Sequence, residues 1–196
     1  MLTLFAIPKP FGGHIGMIQI NAIQSWLQLR PPCEIILFGD EKGMAEVAAE
    51  YGVKHIPNVE RNKYGTPLIN DVFRMAQELA SQPLMCYVNA DIILMSDFLA
   101  GVQRVRKKRR FLLVGQRWDV DLDKLWNFDK PNWEVRLRAC VAKAGKLHPS
   151  CGIDYFVFPK GLWGDIPPFT VGRPAWDNWL IYRARLKHSC VIDATH

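Results

Sequence analysis

The chain has 196 residues, 49% of them apolar, with a formal net charge of +6 and a pI near 9.1. That length suits one sizeable domain, and that apolar fraction excludes an intrinsically disordered chain. The cysteines Cys33, Cys86, Cys140, Cys151 and Cys190 are scattered and show no CxxC spacing. This argues against a disulfide framework and a zinc site, and favours a reducing, cytoplasmic setting.

The chain opens on LTLFAIP, an apolar run stopped by proline and FGG, which predicts a strand. With Pro8 and Pro10 and no basic leader, the start predicts neither a signal peptide nor a membrane span. Residues 15–29 repeat apolar positions at helical spacing and end at Pro31-Pro32. EIILFGD (34–40) predicts a strand ending in Gly39-Asp40, 41–52 a helix with a glycine stop, and VKHI a short strand. Residues 66–80 predict a helix with Thr66 as cap and Pro67 in the first turn. LMCYVNADIIL (84–94) is the longest apolar strand, 96–108 a helix capped by Ser96, and 110–119 another strand. After the Trp-rich stretch 120–150, with a helix near 132–144, CGIDYFVFPKGLW predicts a strand entered through glycine. An amphipathic helix over 174–188 and a short strand, CVIDAT, close the chain.

Alternating strands and helices predict an α/β domain whose mostly parallel central sheet is flanked by helices. The strands are continuously apolar, as a sheet covered on both faces requires. Ligands of such sheets bind beyond the carboxyl ends of the strands. That rule gathers Ile7-Pro8-Lys9, Gly39-Asp40 and Asn89-Ala90-Asp91 on one rim. A carboxylate there needs a metal, a proton or hydrogen-bond donors. The polar loop 58–71 then leads into a helix start, a natural place for a phosphate.

The basic excess is concentrated in RVRKKRR at 104–110. It reads first as a solvated helix end and second as a peripheral membrane contact. With no aromatic residue interleaved, it does not read as a specific nucleic-acid site.

These residues resemble a nucleotide-sugar-dependent glycosyltransferase of the GT-A (Rossmann-like) fold, nearest in pattern to the inverting family 2. The resemblance spans nearly the whole chain as one domain, 1–196. It implies a nucleotide-sugar-binding half, 1–119, and an acceptor-side half, 120–196, that lacks a C-terminal segment. It implies that the loop Ile7-Pro8-Lys9 receives the nucleotide and that Asp40 holds the base. Asn62, Gly65 and Asn70, with Thr66 between them, resemble the segment preceding the metal strand. Asn89-Ala90-Asp91 resembles the Asp-x-Asp motif, with an amide in place of the first acid. Asp91 would be the principal ligand of Mg²⁺ or Mn²⁺, hard cations suited to carboxylate and phosphate oxygens.

The resemblance further implies that Gly152 and Asp154 line the acceptor side, with Trp118 and Asp119 facing the same region. Asp177, at a helix start, would be the catalytic base that deprotonates the acceptor hydroxyl. Trp176 and Trp179 would stack on a sugar face. His196 stands where related folds take a further metal ligand. Implied partners are a UDP-, GDP- or dTDP-type sugar and a glycan, lipid-linked or protein hydroxyl acceptor. Two alternatives stay open: a sugar nucleotidyltransferase, and a nucleotide- or glycan-binding module without activity.

Overall fold

Strand and helix alternate through the first half of the computed structural model, which describes residues 2–195. In chain order the elements are β1 (Leu2–Ala6), α1 (Gly13–Gln28), β2 (Glu34–Phe38), α2 (Met44–Tyr51), β3 (Lys54–Ile56), α3 (Ile69–Leu79), β4 (Leu84–Val88) and α4 (Ser96–Val105). They continue with β5 (Phe111–Val114), β6 (Trp118–Asp119), α5 (Trp133–Ala144), β7 (Lys146–Leu147), β8 (Tyr155–Pro159), α6 (Trp176–Leu186) and β9 (Cys190–Asp193). The main sheet has seven strands in the order β3-β2-β1-β4-β8-β5-β9. Only β8 runs against its neighbours, pairing antiparallel with both β4 and β5. The expected mostly parallel α/β sheet is therefore present.

Both faces of the sheet are covered, which is why its strands are apolar without a break. Side chains alternate across each strand. Leu4, Ala6, Leu37 and Val88 pack with Trp26 of α1, Val47 of α2 and Val102 of α4 on one face. Phe5, Phe38, Tyr87, Phe156 and Phe158 pack with Phe73 of α3, Leu180 of α6 and Trp163 on the other. A smaller cluster of Phe128, Trp133 and Leu137 seats α5 on Ile93 and Met95.

Several predicted boundaries move, each for a local reason. The strand expected over 84–94 stops at Val88. Asn89–Leu94 turn away because α1 holds them: Trp26 Nε1 donates to Ile92 O at 2.9 Å, and Leu94 N donates to Ser25 Oγ at 3.1 Å. The strand expected over 110–119 divides at Gly115–Arg117, and β6 pairs with β7 outside the main sheet. Thr66 does not cap α3. That helix begins at Ile69, and Leu68 N donates to Glu60 O at 2.9 Å in a small loop ladder. Ser96 sits inside α4, where its backbone N and Oγ donate to the Glu134 carboxylate at 2.9 and 2.8 Å.

With β8 alone reversed, the carboxyl ends of β1, β2, β4, β5 and β9 and the amino end of β8 meet at one rim. Among the described residues no helix is long and apolar enough to cross a membrane.

Candidate functional site

Four buried polar side chains build the rim by holding loops. Gln19 on α1, 3% exposed, clamps the loop after β1 from both sides. Lys9 N donates to Gln19 Oε1 at 2.7 Å, and Gln19 Nε2 donates to Lys9 O at 2.9 Å. Asn21 donates to Lys124 O at 3.1 Å and accepts from Trp126 N at 2.7 Å. Ser25 holds Leu94 as described, and Asp71 accepts from Glu60 N at 2.8 Å. A buried polar group left without a partner is costly, so these pairings fix the loops firmly.

At the end of β4 the two polar residues have different fates. Asn89 Nδ2 donates to Asp154 Oδ1 at 2.7 Å, and Asn89 N donates to Asp154 O at 2.8 Å. The other Asp154 oxygen accepts from Arg117 Nη1. Asp154 is buried, and both of its carboxylate oxygens are engaged. Asp91 is exposed, and its carboxylate makes no hydrogen bond or ion pair among the described residues. Tyr87 lies beneath. Burial, with the charges of Asp91 and Asp154 adding, pushes its phenol above the ordinary range.

Arg117 extends the network. Its Nε donates to Asp119 Oδ1 at 2.7 Å, and its Nη2 is 2.9 Å from His148 Nδ1. His148 Nδ1 lies 2.7 Å from Asp119 Oδ2. The hydrogen bonds from His148 and then Arg117 hold the Asp119 carboxyl below the usual carboxylate range. Gly152 adjoins this ring: a Cβ there would meet His148 Cδ2 at 2.3 Å and Nε2 at 2.5 Å. Its missing side chain makes room for the imidazole.

The residues expected to receive the nucleotide lie on the loops after β1 and β2 and in the segment before α3 and its first turn. Pro8 is buried and Lys9 exposed, while Ile7 packs into the core. Asp40 and Glu41 both pair with Arg61, which also donates to Gly65 O at 2.7 Å. Asn62 Oδ1 accepts from Tyr64 N at 2.9 Å and Thr66 N at 3.0 Å, folding the loop on itself around Gly65, whose φ is +79°. Asn70 Oδ1 is buried and has no hydrogen-bond partner among the described residues.

A cleft of about 1270 Å³ opens on the other side of β4. Asp91, Arg117, Trp118, Asp119 and Tyr155 are among its walls. Trp118 is 49% exposed and so keeps open ring surface there. Ile7, Lys9, Asp40, Asn62 and Asp177 do not line it. Trp176 is 8% exposed, with its ring edge-on to Tyr87 at 5.2 Å and tilted on Phe156 at 5.6 Å. Both sides of that contact belong to the core, so Trp176 seats the start of α6 and offers little ring surface to a sugar. Trp179 packs against Phe169 at 5.6 Å. Asp177 follows in the first turn of α6, accepting from Asn178 N at 2.8 Å. His196 lies outside the described residues.

Gln19, Arg61, Arg117 and His148 were not singled out in the sequence. Gln19 carried one signal: it lies three and four residues before Ala22 and Ile23, on the apolar stripe of α1. Arg61 and His148 carried no local signal, because their carboxylate partners lie 20 or more residues away, whereas Arg117 stands two residues before the candidate Asp119, and that spacing could have found it.

A divalent cation fits this rim only in part. Asp91 offers a hard, unengaged carboxylate, and Asn89 retains its side-chain carbonyl oxygen. No group of three or more His, Cys, Asp or Glu side chains among the described residues could hold a metal. That donor set suits a cation carried mainly by substrate phosphates and water, as Mg²⁺ commonly is.

Neither a family model nor a curated protein sequence matches the chain. Solved structures do match. A protein described as a nucleotide-diphospho-sugar transferase from Desulfovibrio desulfuricans superposes with a TM-score of 0.60 at 11% identity, covering 99% of this chain and 79% of that one. A mannosyltransferase from Pyrobaculum calidifontis, in complex with GDP-Man and Mn²⁺, gives 0.61 at 12%, covering 99% and 54%. A cytidylyltransferase from Leptospira borgpetersenii gives 0.56 at 10%, covering 100% and 76%. At these identities the likeness is one of fold alone, an α/β architecture found in sugar transferases and cytidylyltransferases alike.

Proposed function

We propose that this protein is a glycosyltransferase that moves a sugar from a nucleoside diphosphate sugar to a hydroxyl acceptor with inversion. The carrying observation is Asp91, an exposed and unengaged carboxylate at the carboxyl end of a central parallel strand and in the wall of a large cleft. That is where α/β sheets take ligands. The mannosyltransferase of like fold was solved with GDP-Man and Mn²⁺, which supports the choice of donor class.

In this reading residues 1–119 bind the donor and 120–196 serve the acceptor. The loop Ile7-Pro8-Lys9, fixed by Gln19, brings the Lys9 charge toward the diphosphate. Asp40, with Arg61, borders the base and ribose, while Asn62, Gly65, Thr66 and Asn70 shape the facing loop. Asp91 would hold Mg²⁺ or Mn²⁺, and Asn89-Ala90 would line the ribose. A bound cation would neutralise charge on the departing diphosphate. Trp118 offers its ring to the acceptor beside Asp119, with Gly152 and Asp154 supporting that wall from behind. Trp176 seats Asp177 outside the walls of the cleft, so the acceptor would have to reach from Trp118 across the rim for Asp177 to take its hydroxyl proton as that oxygen attacks the anomeric carbon. The bond from that carbon to the diphosphate breaks, and its electron pair leaves with the nucleoside diphosphate. The free cysteines are compatible with a cytoplasmic setting.

A second reading, nucleotidyl transfer, draws on the cytidylyltransferases of like fold. Against it, the segment IPKPFGG has one Lys and no Arg to receive a triphosphate. The two are separated by a panel of UDP-, GDP- and dTDP-sugars with Mn²⁺, run beside nucleoside triphosphates with sugar phosphates. Sugar transfer or nucleotide-sugar hydrolysis supports the first reading, and pyrophosphate release the second. Asp177→Asn should lower transfer by about 10²-fold or more, the scale of a lost general base, with nucleotide binding kept. Loss of nucleotide binding as well would remove Asp177 from the base role.

A further inference from the structure

The end of the sheet opposite the rim carries a separate concentration of charge. α4 runs back from the rim and ends in Arg104–Arg110, immediately before β5. α6 runs back in the same sense and ends at Lys187-His188 before β9, while β8 delivers Lys160 to the same end. Arg109, Arg110, Lys160, Lys187 and His188 converge on a concavity of about 450 Å³. Arg106–Arg110 are all exposed, and none of them joins an ion pair among the described residues. The six positive charges of 104–110 alone equal the net charge of the whole chain, +6.

Helix dipoles account for part of this, since cations favour the last turn of a helix. That effect fades within one turn and does not require five basic residues in succession beyond Val105. No acidic residue lies in 98–110, 159–162 or 183–188 to offset them. The concavity is lined by no Phe, Tyr or Trp side chain among the described residues, so apart from the His188 ring it offers no platform on which a base could stack. A phosphate-bearing surface needs no such platform.

We propose that this basic end docks the protein on an anionic lipid bilayer, with the concavity receiving a phosphate headgroup. Docked this way, the rim and Asp91 face the aqueous side, roughly 15 Å of strand away from the contact. Donor and acceptor would then reach the cleft from solution. The inference stands on the charge distribution and not on the activity proposed above.

The test is co-sedimentation of the full chain with vesicles of phosphatidylcholine alone and of phosphatidylcholine with phosphatidylglycerol. Binding is expected only to the anionic vesicles and is weakened by salt. The variant Arg106→Ser/Lys107→Ser/Lys108→Ser/Arg109→Ser changes exposed residues without ion pairs. At about fivefold per basic residue it should weaken binding by roughly several hundredfold. A second variant, Lys187→Ser, should lower affinity for the anionic vesicles by about fivefold while its thermal melt shows a folded chain. Equal binding to neutral vesicles, or anionic binding untouched by both variants, overturns the proposal. So does binding of inorganic phosphate with no vesicle binding, or tighter binding to single-stranded RNA than to the anionic vesicles.

Discussion

Asn89 is bound to Asp154 twice, by its side chain at 2.7 Å and by its backbone N–H at 2.8 Å. This pairing gives a physical reason for an amide at position 89. An acid at 89 would face the buried Asp154 carboxylate without a proton to offer. The amide joins β4 to the reversed strand β8 and leaves Asp91 as the exposed charge.

Restoring the acid should therefore damage the site. Asn89→Asp sets two carboxylates against each other and removes a donor to a buried acceptor, an expected loss of about 2 kcal/mol. Denaturant melts measure it. Asp154→Asn in the same chain should recover much of that loss by returning a donor to the pair. If Asn89→Asp were neutral in stability and tightened Mn²⁺ binding by calorimetry, position 89 would be a metal position held in reserve.

Arg117 offers a second test. It neutralises Asp154, whose side chain is 9% exposed, while contacting Asp119 and His148. Truncation strands a buried charge, which typically costs about 3 kcal/mol or more. Arg117→Ala should show a loss of that order, and Arg117→Ala/Asp154→Asn a clearly smaller one. Additive losses in the double variant would mean that the two residues act independently.

The sheet was legible because burial on both faces leaves uninterrupted apolar strands, and helices announced themselves by period and by glycine and proline stops. The reversal of β8 was not legible. YFVFP has the same composition whichever way it runs, and direction depends on the path of 115–154. The resemblance singled out Asp154 as an acceptor-side residue, but for the same reason its pairing with Asn89, 65 residues earlier, was not legible. The strand over 84–94 was overextended because Ile92, Ile93 and Leu94 are apolar for another purpose. They pack the turn against α1 and the α5 cluster. Trp176 misleads similarly: a tryptophan beside a candidate base invites a stacking role, yet its ring contacts lie in the core.

Gly152 predicts a steric effect that a surface glycine would not have. A methyl group there would come within 2.5 Å of the His148 ring. Gly152→Ala should push the imidazole off and lengthen its 2.7 Å contact with Asp119. The His148 ring resonances in NMR spectra should shift, and the proposed glycosyl transfer should fall while the core remains folded. Unchanged imidazole resonances would show that Gly152 has slack to accept a side chain.

Asp119 predicts a dependence on acid. The hydrogen bonds from His148 and Arg117 lower its folded-state carboxyl below the ordinary value. A depressed carboxylate adds stability that is full above the unfolded value and is lost as pH falls through the folded one. Comparing melts of the wild-type chain and Asp119→Asn from about pH 5 downward cancels the titrating groups that Asp119 does not touch. The difference should be largest at the start of that range, where the unfolded carboxylate is ionised, and should shrink towards more acid conditions. Its size should be modest, because the side chain is 44% exposed and solvent screens the pairing. A difference that instead grew on acidification would mean that the folded state holds Asp119 protonated, contrary to its contacts with Arg117 and His148.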